Sequence, residues 1–334
     1  PARNHQGVVY VLFLFIPGMA DVMAEVAKGS DEVLEVDLLS GRLDLSGQLD
    51  QEDDGGSEDP SMPLRISFSL QDLKLTEKLG LTGARGQFNR KADGSLDGGL
   101  RGLLGGEVPL ELSLTRPSEG GGSLTMSSSD AGAALEAADL YRGAKGGRLV
   151  VNAQFGRGEA GGVSGSARID DITVRSASTF QRVLRQGGLE QAQAQITRSG
   201  LGFRKVWVPF EYRDGVLTLS DAIATSSALA LKVNGTLDEE TEVLDLSGVM
   251  SPAYALTGVL NEVPVLGQIL SGGEGEGILA MTFTLRGPAR DPELSVNPLS
   301  LLAPGFLRNL FSGGGSDGTG SEKFQARIRN APDR

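Results

Sequence analysis

Apolar residues recur at every second position along much of this chain. Leu64, Ile66, Phe68 and Leu70 show the rhythm, as do Val108, Leu110, Leu112 and Leu114. It returns in Leu149, Val151, Ala153 and Phe155, and again in Leu229, Leu231 and Val233. The plainest example is Leu-Ala-Met-Thr-Phe-Thr-Leu, from Leu279 to Leu285. Side chains on a strand alternate between faces, so each stretch describes a ribbon with one greasy and one wet side. Many such ribbons predict a sheet in which one face is apolar along its whole width.

Composition narrows what such a sheet can do. The chain has 334 residues, enough for one to three domains, with 43 Asp and Glu against 31 Lys and Arg and a formal charge of -12. That balance repels a nucleic-acid backbone, and no basic stripe with interleaved aromatics is present. A polybasic patch for anionic headgroups is equally lacking. Cysteine is absent, which excludes disulfides and thiolate metal sites, and the one histidine is His5. Ser-His-Asp, Cys-His and HExxH chemistry therefore have no base or ligand to use. The 48 glycines and 14 prolines suit a chain that turns often between strands.

The first stretch, Gly7 to Ala20, is strongly apolar but breaks at Pro17-Gly18 before Asp21. A spanning helix wants about 20 apolar residues, so this run reads as a buried strand or the end of a lost element in preference to a truncated membrane or signal segment. Leu34, Val36 and Leu38, then Leu43 and Leu45, predict a hairpin through Ser40-Gly41. Asp50 to Pro63 is an acidic, glycine- and proline-bearing loop without the regular spacing of a calcium site. Turns are predicted at Asp93-Gly94, Asp97-Gly98-Gly99, Arg213-Asp214-Gly215 and Asn234-Gly235, the last also a glycosylation sequon with Thr236. Asp130 is placed to cap a short helix that Gly146-Gly147 separates from the next strand. Short helices are also predicted within 176–199, within 251–271 on either side of Pro264, and from Pro298 to Phe311.

Motifs with catalytic associations reduce to ordinary structure. Gly314 to Gly318 matches G-x-S-x-G, yet it lies in a glycine linker with no histidine after it. In Gly272 to Gly277, Glu274 and Glu276 would repel a phosphate, so a turn is the reading. Asp170 and Asp171 are adjacent on a strand and face opposite ways, which rules out a converging acid/base pair. Alternation by itself also fits a β-sandwich core. Aromatics make up only 5% of the chain, too few for the usual anchors of such a core, and helices to cover a large sheet are few. Acyl chains completing the apolar face would resolve both.

From Ser127 onward the motifs resemble a known family. Ser129-Asp130-Ala131-Gly132-Ala133, Leu140-Tyr141 and Gly146-Gly147-Arg148-Leu149 are similar to the helix-then-strand segment of the AsmA-like C-terminal region of YhdP-type envelope proteins of Gram-negative bacteria. The likeness continues in Gly215-Val216-Leu217-Thr218-Leu219-Ser220-Asp221-Ala222. It is closest over Ser251-Pro252-Ala253-Tyr254, Val263-Pro264-Val265-Leu266-Gly267, Gly272 to Gly277, Arg286-Gly287-Pro288, Asp291-Pro292 and Val296 to Ser300, with Ala303 to Leu307 after them. The resemblance spans roughly residues 120–311. It implies an inner-membrane anchor in a longer protein of which this chain is the C-terminal portion. It further implies a periplasmic body and a β-groove that conducts phospholipids towards the outer membrane. No catalytic residues come with it.

The expected fold is all-β: an elongated, twisted and curved antiparallel sheet forming a hydrophobic groove, with a few short helices. Residues 1–60 are expected to be N-terminal strands and the acidic loop, 61–311 the AsmA-like region, and 312–334 a Gly/Ser-rich linker and charged tail. Leu229, Leu231, Val233, Leu244, Leu246, Leu279, Met281, Phe283 and Leu285 are the candidate lining of the groove. The expected partners are phospholipid acyl chains and the two membranes, with outer-membrane contact at the C-terminal end, and no nucleic acid. The expected role is passive phospholipid transfer without enzymatic chemistry, cofactor or metal. The alternative is a structural β-domain that scaffolds an envelope complex without carrying lipid.

Overall fold

The structure, a computed structural model, describes residues 9–29, 32–46, 62–76, 79–138, 140–156, 162–175, 200–227, 229–252, 280–289 and 292–299. The chain divides into two compact units, residues 1–174 and 175–334. Both are built from strands, and one short helix is present among the described residues.

The first unit runs β1 (Val9–Ile16), β2 (Ala20–Lys28), β3 (Leu34–Asp44), β4 (Leu64–Lys74), β5 (Gly80–Arg90), β6 (Leu96–Leu104), β7 (Val108–Arg116) and β8 (Gly122–Ser128). The helix α1 (Ala131–Ala137) and the two-residue β9 (Ala144–Lys145) precede β10 (Arg148–Phe155) and β11 (Val163–Val174). Strands adjacent in sequence are neighbours in the sheet from β1 to β8, after which β10 takes its place beside β8 and β11 beside β10. The Asp130 carboxylate accepts from the Ala133 N–H at 3.0 Å, which caps α1 as its sequence predicts. Gly146 and Gly147, both at positive φ, kink the chain so that β9 and β10 run along the same partner, β11.

One ladder departs from the antiparallel expectation. β3 and β4 are parallel, Leu34 opposite Leu64 and Asp44 opposite Lys74. Parallel neighbours need a connection of about a dozen residues or more, and residues 45–63, which contain the acidic insert, are that connection. Charged pairs set the register: Arg65 meets Glu35 at 2.5 Å, Arg42 meets Asp72 at 3.2 Å and Lys74 meets Asp44 at 3.3 Å.

The second unit is a meander of β12 (Leu201–Arg213), β13 (Val216–Ser226), β14 (Leu229–Asp238), β15 (Val243–Pro252), β16 (Ala280–Pro288) and β17 (Glu293–Leu299). Every ladder among its described residues is antiparallel. Asp214 (φ 51°) and Gly215 (φ 75°) form the tight turn predicted between β12 and β13.

Three predicted turns are instead strand interior. Ser40-Gly41 lies inside β3, where β2 and β3 slip register by a bulge; Gly98 and Gly99 lie inside β6; and Asn234-Gly235 lies inside β14. Glycine serves close approach at these sites. A Cβ on Gly41 would collide with the Asp21 carbonyl, and one on Gly235 with that of Asp245. Pro298 and Leu299, predicted to open a helix, end β17. The helices predicted within 176–199, the bulk of 251–271 and the rest of 298–311, like the glycine motifs at 272–277 and 314–318, lie outside the described residues. No helix among the described residues is long and apolar enough to cross a membrane.

Candidate functional site

Residues directly opposite in a ladder share a face, so register shows which side chains form a common surface. In the second unit Phe210, Leu219, Gly235, Leu246, Leu285 and Leu294 stand in one row across all its strands. The next rows are Ala222, Val233, Gly248, Phe283 and Val296, then Val206, Ala224, Leu231 and Met250. Tyr212, Leu217, Leu237 and Leu244 form the row on the other side, and Leu229 faces Pro252 at the end of β14. The face therefore carries no charged side chain in these rows.

Its exposure is graded. Leu229, Met250, Ala222 and Phe283 are buried, while Leu231, Val233, Leu244, Leu246 and Leu285 are half-buried. Of the nine candidate lining residues, seven have described side chains and share the face: Leu229, Leu231, Val233, Leu244, Leu246, Phe283 and Leu285. Met281 occupies a position on it, opposite Met250, and Leu279 lies outside the described residues.

The reverse face is polar towards the Asp245 end of the strands, whereas the row of Lys232 also carries Trp207, Ile223 and the buried Val249. Arg286 Nε meets Asp245 Oδ1 at 2.9 Å, and Thr282 and Thr284 stand beside them on β16. Lys232, whose side chain is only 7% exposed, reaches Asp221 at 3.0 Å. Asp221 sits at a bulge in β13 with φ 57°, its N–H donating to Asn234 Oδ1 at 2.6 Å. A charge that deep needs such a partner. This polar use of Asn234 explains why Asn-Gly is found here in a strand.

The first unit repeats the two-faced pattern over more strands. Val26, Val36, Ile66, Phe88, Gly98, Leu114, Leu124 and Ala153 are aligned, and beside them Ala24, Leu38, Phe68, Gly86, Leu100, Leu112, Met126 and Val151. Its other face carries Glu35, Asp37, Arg65, Ser67, Asn89 and Asp97, linked by hydrogen bonds from Arg65 to Asn89, from Asn89 to Asp97 and from Ser67 to Asp37. On β11 Arg168 holds Asp170 at 3.0 Å while Asp171 turns to φ 56°, so these acids do not converge.

Three phenylalanines lie flat across a glycine on the neighbouring strand. A Cβ on Gly86 would come within 2.6 Å of the Phe68 ring, one on Gly98 within 2.5 Å of Phe88, and one on Gly248 within 2.5 Å of Phe283. Phe68 and Phe88 also stack on each other at 6.3 Å. These glycines belong to the apolar surface, and the alternation of apolar letters skips them. Register alone reveals them, and it also joins Val206, Phe210, Leu294 and Val296, whose alternation is visible in the letters, to the same face.

Among the described residues no group of three or more His, Asp or Glu side chains could hold a metal ion. Among the described residues the arrangement on offer is a surface. Comparison with protein-family models, with curated proteins and with solved structures finds no match. The face has to be interpreted from its own chemistry.

Proposed function

We propose that this chain binds phospholipids by their acyl chains along its one-sided sheet and passes them between inner and outer membranes without a chemical step, in support of outer-membrane lipid homeostasis. The observation that carries this reading is the register of the second unit, which aligns uncharged residues over six strands and leaves much of that surface half-exposed. Burying one methylene is worth about 0.8 kcal/mol, so an acyl chain gains from lying on such a face while its headgroup stays in water. Successive strands offer similar side chains, which keeps the cost of sliding low. The resemblance to AsmA-like proteins supports a periplasmic setting and an inner-membrane tether in the longer protein.

The test is extraction of purified protein and mass spectrometry of the extract. Glycerophospholipid at a reproducible molar ratio supports the proposal. Lipid-free protein that also fails to take up fluorescent phospholipid from vesicles would leave the scaffold reading. One observation favours that second reading: β1 exposes apolar side chains on both its faces, as a strand awaiting a protein partner would.

A further inference from the structure

Two arginines stand side by side on the polar face of the first unit. Arg85 on β5 and Arg101 on β6 are directly opposite in their ladder, so their side chains leave the same face from Cα atoms about 5 Å apart. Both are exposed, and neither makes an ion pair or a side-chain hydrogen bond among the described residues. Arg42, Arg65 and Arg168 of the same unit each hold an acid. Glu111 lies across from Arg101 on its other side, exposed and without an ion pair to it. Like charges set directly opposite destabilise a sheet, so this pairing works against the fold.

A bulge creates the pair. Thr82 is opposite Leu103, and carrying that register on would set Arg85 against Leu100, which belongs to the apolar face. Instead Gly83 and Ala84 together stand against Gly102, with Gly83 at φ 59°. The extra residue brings Arg85 against Arg101. Bulges of this kind re-aim side chains and are frequent beside functional sites. In the neighbouring row Gly99 stands between Gln87 and Ser113, so the face has a recess next to the arginines. Ser69, across from Arg85 on β4, and Gln87, two residues along β5, place further donors around them.

Two guanidinium forks on one spot select the ligand. A carboxylate has two oxygens, and a single fork saturates it. A phosphomonoester presents three terminal oxygens and close to two negative charges at neutral pH, so it accepts from both forks and offsets both cations. We propose that Arg85 and Arg101 form a binding site for a phosphoryl dianion, flanked by Ser69 and Gln87. The sheet itself separates this site from the apolar face, so its ligand is not the headgroup of a lipid lying there. The site therefore stands or falls apart from the acyl-chain reading.

Urea denaturation midpoints of the full chain, at neutral pH and constant ionic strength, read the site through stability. Millimolar inorganic phosphate in place of chloride is expected to raise the wild-type midpoint, and acetate to leave it unchanged. Arg85→Gln and Arg101→Gln should each abolish the rise. Without phosphate both variants should be at least as stable as the wild type, since the like-charge pair is gone, which separates a lost site from a damaged fold. Glu111→Gln, which removes the nearby carboxylate, should lower the dissociation constant for phosphate at least threefold in calorimetry. Glycerol 3-phosphate and vesicles containing phosphatidic acid distinguish a soluble ester from a bilayer as the source, and binding to either that depends on Arg101 supports the site. A wild type indifferent to phosphate, an equal rise with acetate, or variants that keep the full response would each overturn the inference.

Discussion

Phe283 and Thr284 are consecutive on β16 yet face opposite ways, the ring across Gly248 and the hydroxyl beside Arg286. Under the proposed function Phe283→Asp should strip most co-purifying lipid, while Thr284→Asp leaves it close to the wild-type amount. Equal losses, read by mass spectrometry, would point to a sealed core. Gly235 offers a sharper stability probe. With φ 145° and the Asp245 carbonyl standing where a Cβ would go, Gly235→Ala should cost more than about 2 kcal/mol in urea unfolding. Gly202→Ala meets open space and should change stability by less than about 1 kcal/mol. Two turn aspartates give the protein an acid limb. The Thr241 backbone N–H, then its hydroxyl, hold the Asp238 carboxyl below its ordinary value, and the Ser95 hydroxyl and N–H do the same for Asp93. A depressed folded pKa contributes stability that is complete above the unfolded value of about 3.9 and fades as pH falls through the folded one. Asp238→Asn should therefore flatten the loss of stability below about pH 4, measured by denaturation midpoints across that range.

Among the elements, the parallel β3–β4 ladder is where pairing energy can be apportioned. Glu35 and Arg65 are opposite each other, and the glutamate side chain is only 11% exposed; Arg42 and Asp72 are opposite as well but lie largely in water. A double-mutant cycle should give about 1 kcal/mol or more for the first pair and less than about 0.5 for the second. The existence of most strands was legible in the alternation, and so were the capped helix and the Asp214-Gly215 turn. What stayed hidden has a common cause. Gly41, Gly98 and Gly235 carry turn chemistry in their letters, but a neighbouring backbone or ring decides their role, and that neighbour is set by register. The parallel step was hidden for the same reason, since a local pattern does not say which way the next strand runs. The candidate lining residues were readable because period two already separates the faces, whereas the glycines among them were not.

Across the molecule, stability is local. Within the first unit each ladder joins strands close in the chain, from β1 to β8 and on to β10 and β11, so damage should spread little beyond adjoining strands. Gly41→Ala should accelerate amide exchange in β2, β3 and β4 while β8, β10 and β11 keep their protection, as read by hydrogen-exchange mass spectrometry. Uniform loss would indicate one cooperative block instead. The rings laid over Gly86, Gly98 and Gly248 carry a consequence for texture. Wherever a ring reclines on bare backbone, the surface there has neither ridge nor notch, so under the proposed function an acyl chain moving over it would meet no foothold. Valine at any of these three glycines would prop the ring upright and roughen the path, turning a smooth lining into one with a step.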